Sequence, residues 1–474
     1  MFIIYCFIAF FVILLMPSQY ESIDPLLIVV FSFVFFMLLF IYFIQRKKYI
    51  NNWLRFDFVF LLGYFIVHFQ SPLLYSLGLD FRVISHPWVN VEVVNYATWL
   101  SLLAIIFWLI GTSLISEKKY RLSAKVTNNV VLDQGLGPFL DKVIIIAFPL
   151  YIFVAGSVVF SGTYDGGQSW GAGAGYFYLL LTTALYLRTI VFVLSLNKDS
   201  SYIENIKKIQ DNKIYIASLL FFVFLFLSIG DRGPIIRIAL IFSVLYGIRV
   251  KTFSLKTVII STCVAALLMT IVGMGRTKVV DNAVSKGIIE RGYENLLSSE
   301  GLVIPTAELA GSNKILFAAI DNVPNQYPYL YGKTYMVNIL SSLPVPGITK
   351  IFTELLEIPR HQTTTTHYFT YMLIGPNPTW GAGSEVVADV YVNFGLFGVP
   401  IIFFVFGMIC ARYSYLIEHL NESVKVSSVI IYSGLVITAL SINRGMLLYP
   451  LMPIFYMLAL LWLFRMLKLV VRRA

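Results

Sequence analysis

Two short turns carry the residues best suited to chemistry. Ser228-Ile229-Gly230-Asp231-Arg232-Gly233-Pro234 and Ser441-Ile442-Asn443-Arg444-Gly445 each set an arginine beside a glycine between two apolar runs. A guanidinium binds phosphate oxygens through a planar fork of N–H donors. A helix is expected to begin at each turn, with Asp231 and Asn443 as N-caps and Pro234 in a first turn. Its free N–H groups and positive dipole end would reinforce the arginine's charge. Two such turns could clamp a diphosphate. The competing reading is that each arginine snorkels to lipid headgroups and anchors its helix. Arg237 lies about one turn beyond Arg232 and could extend the same site. Arg188 falls within an apolar run, where a charge is either functional or paired.

Three further groups could contribute. Gly273-Met274-Gly275-Arg276-Thr277-Lys278 sets two bases beside flexible glycines, suited to a phosphate at headgroup depth or to membrane anchoring. Pro359-Arg360-His361-Gln362-Thr363-Thr364-Thr365-Thr366-His367 gathers a fixed cation, two imidazoles and four hydroxyls. Hydroxyls and amides suit a sugar-binding surface, and His361 or His367 titrates in the range of a general base. The alternative is a polar loop with surface histidines. The third group is Pro376-Asn377-Pro378-Thr379-Trp380-Gly381-Ala382-Gly383-Ser384-Glu385, followed by Asp389 and Tyr391. Ser384 could cap a helix. Glu385 and Asp389, four residues apart, would share one helix face. One of them could orient or activate a sugar hydroxyl, or the pair could serve capping and a salt bridge to a loop arginine. Trp380 and Tyr391 could stack on sugars or lie in an interfacial belt.

These groups need a scaffold, and composition points to lipid. Of 474 residues, 58% are hydrophobic and 13% are charged, with a mean hydropathy of +0.80. A soluble domain carries roughly 25% charged residues, so there are too few here to coat a globular surface. Apolar runs recur, long enough to cross a hydrocarbon core of about 30 Å. In that medium the backbone must satisfy itself, which selects helices. The runs do not alternate, which argues against a β-barrel. The spacing predicts an all-α protein with about 12 spans (range 10–14), at 2–17, 26–44, 58–79, 93–115, 143–161, 176–196, 214–229, 234–249, 258–274, 390–411, 426–442 and 447–464. The third contains Gln70-Ser71-Pro72 and is expected to be broken. The run at 2–16 lacks a basic flank and a small-residue cleavage site, so it reads as a span.

Lys and Arg set the orientation. Alternate short loops hold Arg46, Lys47, Lys48 and Arg55, then Lys118, Lys119, Arg121 and Lys125, and so on to the tail, whereas 18–25 and 162–175 hold none. Both termini are therefore expected in the cytoplasm. The net charge of +10 becomes an orientation signal plus attraction to anionic lipid, not a nucleic-acid footprint. The chain divides into a bundle at 1–274, a large external segment at 275–389 and the last spans at 390–474. The external segment, expected to form short helices at 300–310 and 335–343, is long enough to be a working surface. Cys6, Cys263 and Cys410 lie in apolar runs, and the five histidines have no ligand spacing, so neither a disulfide framework nor a metal or other cofactor is expected.

In the Gly-Asp-Arg-Gly turn at 230–233, the Gly-x-Gly-Ser stretch running on to Gly398, and the Arg-Gly turn at 444–445, the chain resembles the Wzy-type O-antigen and oligosaccharide repeat-unit polymerases of bacteria. The whole plan, spans with one large periplasmic loop, resembles them too. The resemblance implies a C-type membrane glycosyltransferase of the inner membrane, working at its periplasmic face without metal or nucleotide sugar. It would move a growing glycan from undecaprenyl diphosphate onto the terminal sugar of a lipid-linked repeat unit. A chain-length regulator is an implied partner. The family carries an acidic residue, often Glu, where Asp389 stands. Arg232 and Arg444 are then the foremost diphosphate-binding residues, with Arg276, Arg360, Lys278 and Arg237 beside them. His361, His367, Glu385 and Asp389 are the candidates to deprotonate or orient the acceptor. The rival readings are an O-antigen ligase and a polysaccharide-lipid transporter or flippase.

Overall fold

The computed structural model describes residues 2–47, 52–79, 88, 90–115, 133–160, 170–196, 202–275, 287–298, 304–345, 347–418 and 425–473, and among these all regular structure is helical. The helices are α1 (Phe2–Leu14), α2 (Pro25–Lys47), α3 (Phe56–Ser76), α4 (Val94–Leu114), α5 (Leu136–Ala155), α6 (Ala174–Ser195), α7 (Tyr202–Asp211), α8 (Lys213–Ile229), α9 (Gly233–Arg249) and α10 (Leu255–Met274). Then come α11 (Ile288–Leu297), α12 (Ala307–Ala310), α13 (Lys314–Asn322), α14 (Lys333–Ser342), α15 (Ile348–Leu355) and α16 (Thr365–Ile374). The chain closes with α17 (Val386–Glu418), α18 (Val426–Thr438) and α19 (Leu451–Arg473). Each of the twelve expected spans coincides with a helix. Eight of these are long and apolar enough to cross a membrane, and α1, α8 and α18 are shorter apolar helices.

The core is organised on α4, buried along nearly all its length, and on α17, which runs against it. Their backbones touch because both carry glycine at the crossing. A Cβ on Gly111 would fall 2.1 Å from the Phe404 carbonyl oxygen, and one on Gly407 would fall 2.1 Å from that of Trp108. Small residues that admit a neighbouring backbone are the usual means of helix contact in lipid, where burial of apolar surface gives no drive. By contrast the side chains of Ile259, Ile260, Val264, Leu267 and Leu268 on α10 face outward, as a lipid-facing helix requires.

Two groups of buried charges are paired. At one end of the bundle Asp57 receives hydrogen bonds from Tyr42 (2.7 Å), Arg46 (2.7 Å) and Arg55 (2.7 Å), which is how a carboxylate tolerates burial. Arg188 pairs with Asp141 at 2.8 Å and lies over the Tyr215 ring, so it locks α6 to α5.

The opposite end is covered by a layer built from 304–345 and 347–384. Gln19 and Tyr20, between α1 and α2, donate to the carbonyls of Ile320 and Asp321. Asn90, ahead of α4, donates to Asp321 (2.8 Å), and the Leu330 amide donates to the Val392 carbonyl of α17 (2.8 Å). The expected short helices appear here as α12, a single turn, and α14. The expected break in α3 is a π-turn at Ile66–Gln70, continued by Ser71–Ser76 with Pro72 in its first turn.

Candidate functional site

Arg232 and Arg444 meet on one carboxylate. Arg232 closes the turn between α8 and α9. Gly230 takes the left-handed conformation that ends α8 (φ 81°), and Pro234 occupies the first turn of α9; the N-cap is Arg232 and not Asp231 as expected, because α9 begins only at Gly233, whose amide donates to Asp231 at 3.1 Å. The Arg232 guanidinium donates to the Met269 carbonyl on α10 and to Glu308 Oε2 on α12. It fits there because position 273 has no side chain, since a Cβ would fall 2.8 Å from Nη1. Arg444 reaches Glu308 Oε1 at 3.4 Å from the far end of the sequence. Thr306 donates to Gln70 of the π-turn at 2.8 Å, which fixes the start of α12 against α3.

The Arg444 turn differs from expectation. Residues Ser441–Arg444 form one 3-10 turn, and α19 begins only at Leu451, so Arg444 does not stand at a helix N-terminus. Asn443 is not an N-cap. It is buried, and its amide donates to the carbonyls of Phe60 (3.1 Å) and Ala439 (3.2 Å). The glycines after α10 are close-packing positions, not hinges. A Cβ on Gly275 would fall 1.9 Å from the Ile288 carbonyl, and one on Gly292 would fall 1.9 Å from that of Ile271. Arg276 and Lys278 lie outside the described residues.

Asp389 and Glu385 are both wholly buried. Asp389 accepts from Thr365 Oγ1 (2.7 Å), Tyr335 OH (3.0 Å) and the Leu447 amide (3.0 Å). It thus ties α16 and α14 of the capping layer to the segment just after Arg444. Glu385 accepts from the Val387 and Ala388 amides (2.7 and 2.8 Å), so it caps α17. That corrects the expectation for Ser384, whose hydroxyl pairs with Thr365 instead. Glu385 Oε1 also lies 3.1 Å from His68 Nε2 in the π-turn, although the ring N–H is not aligned on it. Neither carboxylate bridges to a loop arginine in the contacts among the described residues.

His361 and His367 lie in the capping layer. His361 stacks on Tyr371 with ring centroids 4.3 Å apart. His367, on the first turn of α16, is exposed, and its Nδ1 is 3.0 Å from the Thr363 hydroxyl. Partial burial lowers the pKa of His361. Partial burial and then the charge of Arg360 lower that of His367. Arg360 therefore keeps company with His367, and no direct hydrogen bond or ion pair among the described residues joins it to the Arg232–Arg444 pair. Arg237 points among tyrosines, with a hydrogen bond to Tyr186 and with Tyr178 and Tyr449 beside it. Tyr391 is buried, donating to the Val323 carbonyl, whereas Trp380 is half exposed with the Lys314 ammonium 5.4 Å over its ring.

Sequence reasoning missed Glu308, Gln70 and His68. No sequence signal marks Glu308, which stands 76 residues from Arg232 and 136 from Arg444. The π-turn, which brings Gln70 and His68 to the site's edge, has no composition mark beyond Gln-Ser-Pro.

A bundle of long apolar helices, capped at one end by a polar layer and carrying two arginines on a shared carboxylate, defines a multi-pass membrane protein with a paired cationic site. The family model for the O-antigen polysaccharide polymerase Wzy matches residues 1–473, and the chain belongs to that family. Membership makes it a polymerase of O-antigen synthesis, and so of lipopolysaccharide biosynthesis. Comparison with curated proteins and with solved structures returns no match.

Proposed function

We propose that the protein joins lipid-linked oligosaccharide repeat units into a polysaccharide at the outer face of the inner membrane, with Arg232 and Arg444 holding the lipid diphosphate that leaves. The observation that carries this reading is their convergence on Glu308 from turns more than two hundred residues apart in sequence. The donor is a glycan on undecaprenyl diphosphate, transferred en bloc to the terminal sugar of a new unit. Negative charge grows on the diphosphate as the glycosidic bond breaks, and fixed guanidinium groups stabilise it more in the transition state than before it. In this reading no metal is required for that task.

The topology has twelve spans with both termini in the cytoplasm. Support comes from the basic residues Arg46, Arg55, Arg249 and Lys425 at the end of the bundle away from the capping layer. The layer then faces the periplasm and receives the glycan. Among the four acceptor-activating candidates, exposure favours His367. Its lowered pKa keeps the imidazole neutral near pH 7, able to take a proton from the attacking hydroxyl. Glu385 and Asp389 act at one remove, by fixing α17 and the Arg444 turn. Arg360 tunes His367, and Arg237 supports the floor of the site.

The test supplies purified protein with labelled lipid-linked repeat unit and no core lipid. A ladder of lengths, lost in Arg232→Ala and Arg444→Ala, supports polymerisation. Product formed only when core lipid is added would mean a ligase, and translocation of lipid-linked sugar without a new glycosidic bond would mean a transporter.

A further inference from the structure

We propose that Glu308 is a displaceable counter-ion that occupies the place of the diphosphate between Arg232 and Arg444 in the empty site and competes with it for release. The inference rests on the reading of those two arginines as the diphosphate site. Two guanidinium groups repel each other, and something negative must lie between them if they are to stay together without substrate. Glu308 does this with one oxygen for each arginine: Oε2 takes Arg232, and Oε1 takes Arg444 at 3.4 Å.

The carboxylate is suited to leaving. Its side chain is 51% exposed, on a helix of a single turn, so it can turn outward into open space. The backbone under it is nevertheless anchored, through the Thr306–Gln70 hydrogen bond to the π-turn. The side chain can therefore swing while its root stays in place. A diphosphate diester carries two charges and can offer each guanidinium a bidentate pair of oxygens, whereas Glu308 offers one charge in all. The diphosphate wins the contest, but the two anions cannot share the space. After transfer, the spent lipid diphosphate keeps the bonding pair of the broken glycosidic bond as an additional negative oxygen, which tightens its hold on the arginines, so its release needs a competing anion, and Glu308 returns as it departs. Glu308 is on this account a positioning residue. It keeps the arginines in register between turnovers and sets how tightly product is held.

The experiment measures the dissociation constant of geranylgeranyl diphosphate for the full-length protein in detergent, comparing wild type with Glu308→Gln, Glu308→Ala, Arg232→Ala and Arg444→Ala. Both Glu308 variants alter a half-exposed side chain and bury nothing new. Exposed ion pairs are worth little individually, so loss of two gives roughly a five- to twentyfold tighter complex. With lipid-linked repeat unit, Glu308→Gln should lower KM and, through slower product release, lower kcat as well. A purely structural glutamate would weaken or leave the affinity. Unchanged or weaker binding in both Glu308 variants, with weaker binding in the arginine variants, overturns the inference and leaves the arginine site standing. Arginine variants that bind as well as wild type overturn both.

Discussion

Gly273→Ala separates positioning from folding at this site. Alanine is the better helix former by about 0.5–1 kcal/mol, so propensity alone predicts a small gain in stability. The added Cβ, however, would lie 2.8 Å from Arg232 Nη1 and 3.4 Å from its Cζ. Ordinary contact needs at least several tenths of an ångström more, and the guanidinium, as the far end of a flexible side chain, can supply it by moving. That movement draws Arg232 from the Met269 carbonyl and alters its reach to Glu308. A shift on the order of 1 Å at a catalytic group costs up to about 10²-fold in rate. We therefore expect Gly273→Ala to melt at or slightly above the wild-type temperature in detergent and to lose about ten- to a hundredfold in the rate of chain extension. Gly275→Ala is the control. There the new Cβ meets the Ile288 backbone carbonyl at 1.9 Å, nothing flexible can yield, and the loss appears as a lower melting temperature. A Gly273→Ala protein that folds and extends chains at the wild-type rate would refute the claim that Arg232 must lie where it does.

Asp389→Ala leaves the hydroxyls of Thr365 and Tyr335 and the Leu447 amide without their partner. At about 1–3 kcal/mol for each stranded group it should lower the melting temperature markedly, and Thr365→Val, which strands less, should do so mildly. For His367 the base must be neutral. Its pKa lies below 6.5, so chain extension should hold as pH falls to that value and decline only beneath it. Arg360→Gln removes a charge that favours the neutral ring, so the acid limb of kcat/KM should move to higher pH, and an unmoved limb would count against His367. Arg444→Ala should cost about 10²–10³ in the rate, the usual effect of losing one transition-state donor, and a protein that folds and keeps full activity would count against the clamp.

Much of the scaffold is written locally. A helix in lipid depends on its own run of apolar residues, so the positions of α1 to α6, α8 to α10 and α17 to α19 follow from the chain itself. The turn at 230–234 is also local, since Gly230 and Pro234 do there what their types suggest and Asp231, one residue ahead of the N-cap, holds the Gly233 amide. The Arg444 turn is not, because Asn443 answers to the Phe60 carbonyl, nearly four hundred residues away. Asp389 illustrates the same limit. Its spacing from Glu385 suggests one helix face, but Glu385 precedes the helix as its cap, and only tertiary structure reveals that Asp389 is buried against hydroxyls from α14 and α16. Glu308 is hidden for another reason, since a single acid in the largely apolar stretch 302–310 has no pattern until two distant arginines close on it.

One diphosphate should lie between Arg232 and Arg444, and a cryo-electron microscopy map of the protein with a non-reactive lipid-linked repeat unit would show it. We expect both phosphorus atoms within contact of the two guanidinium groups, Glu308 turned outward and the glycan running under the capping layer. Diphosphate density elsewhere, with the arginines still closed on Glu308, would contradict this placement.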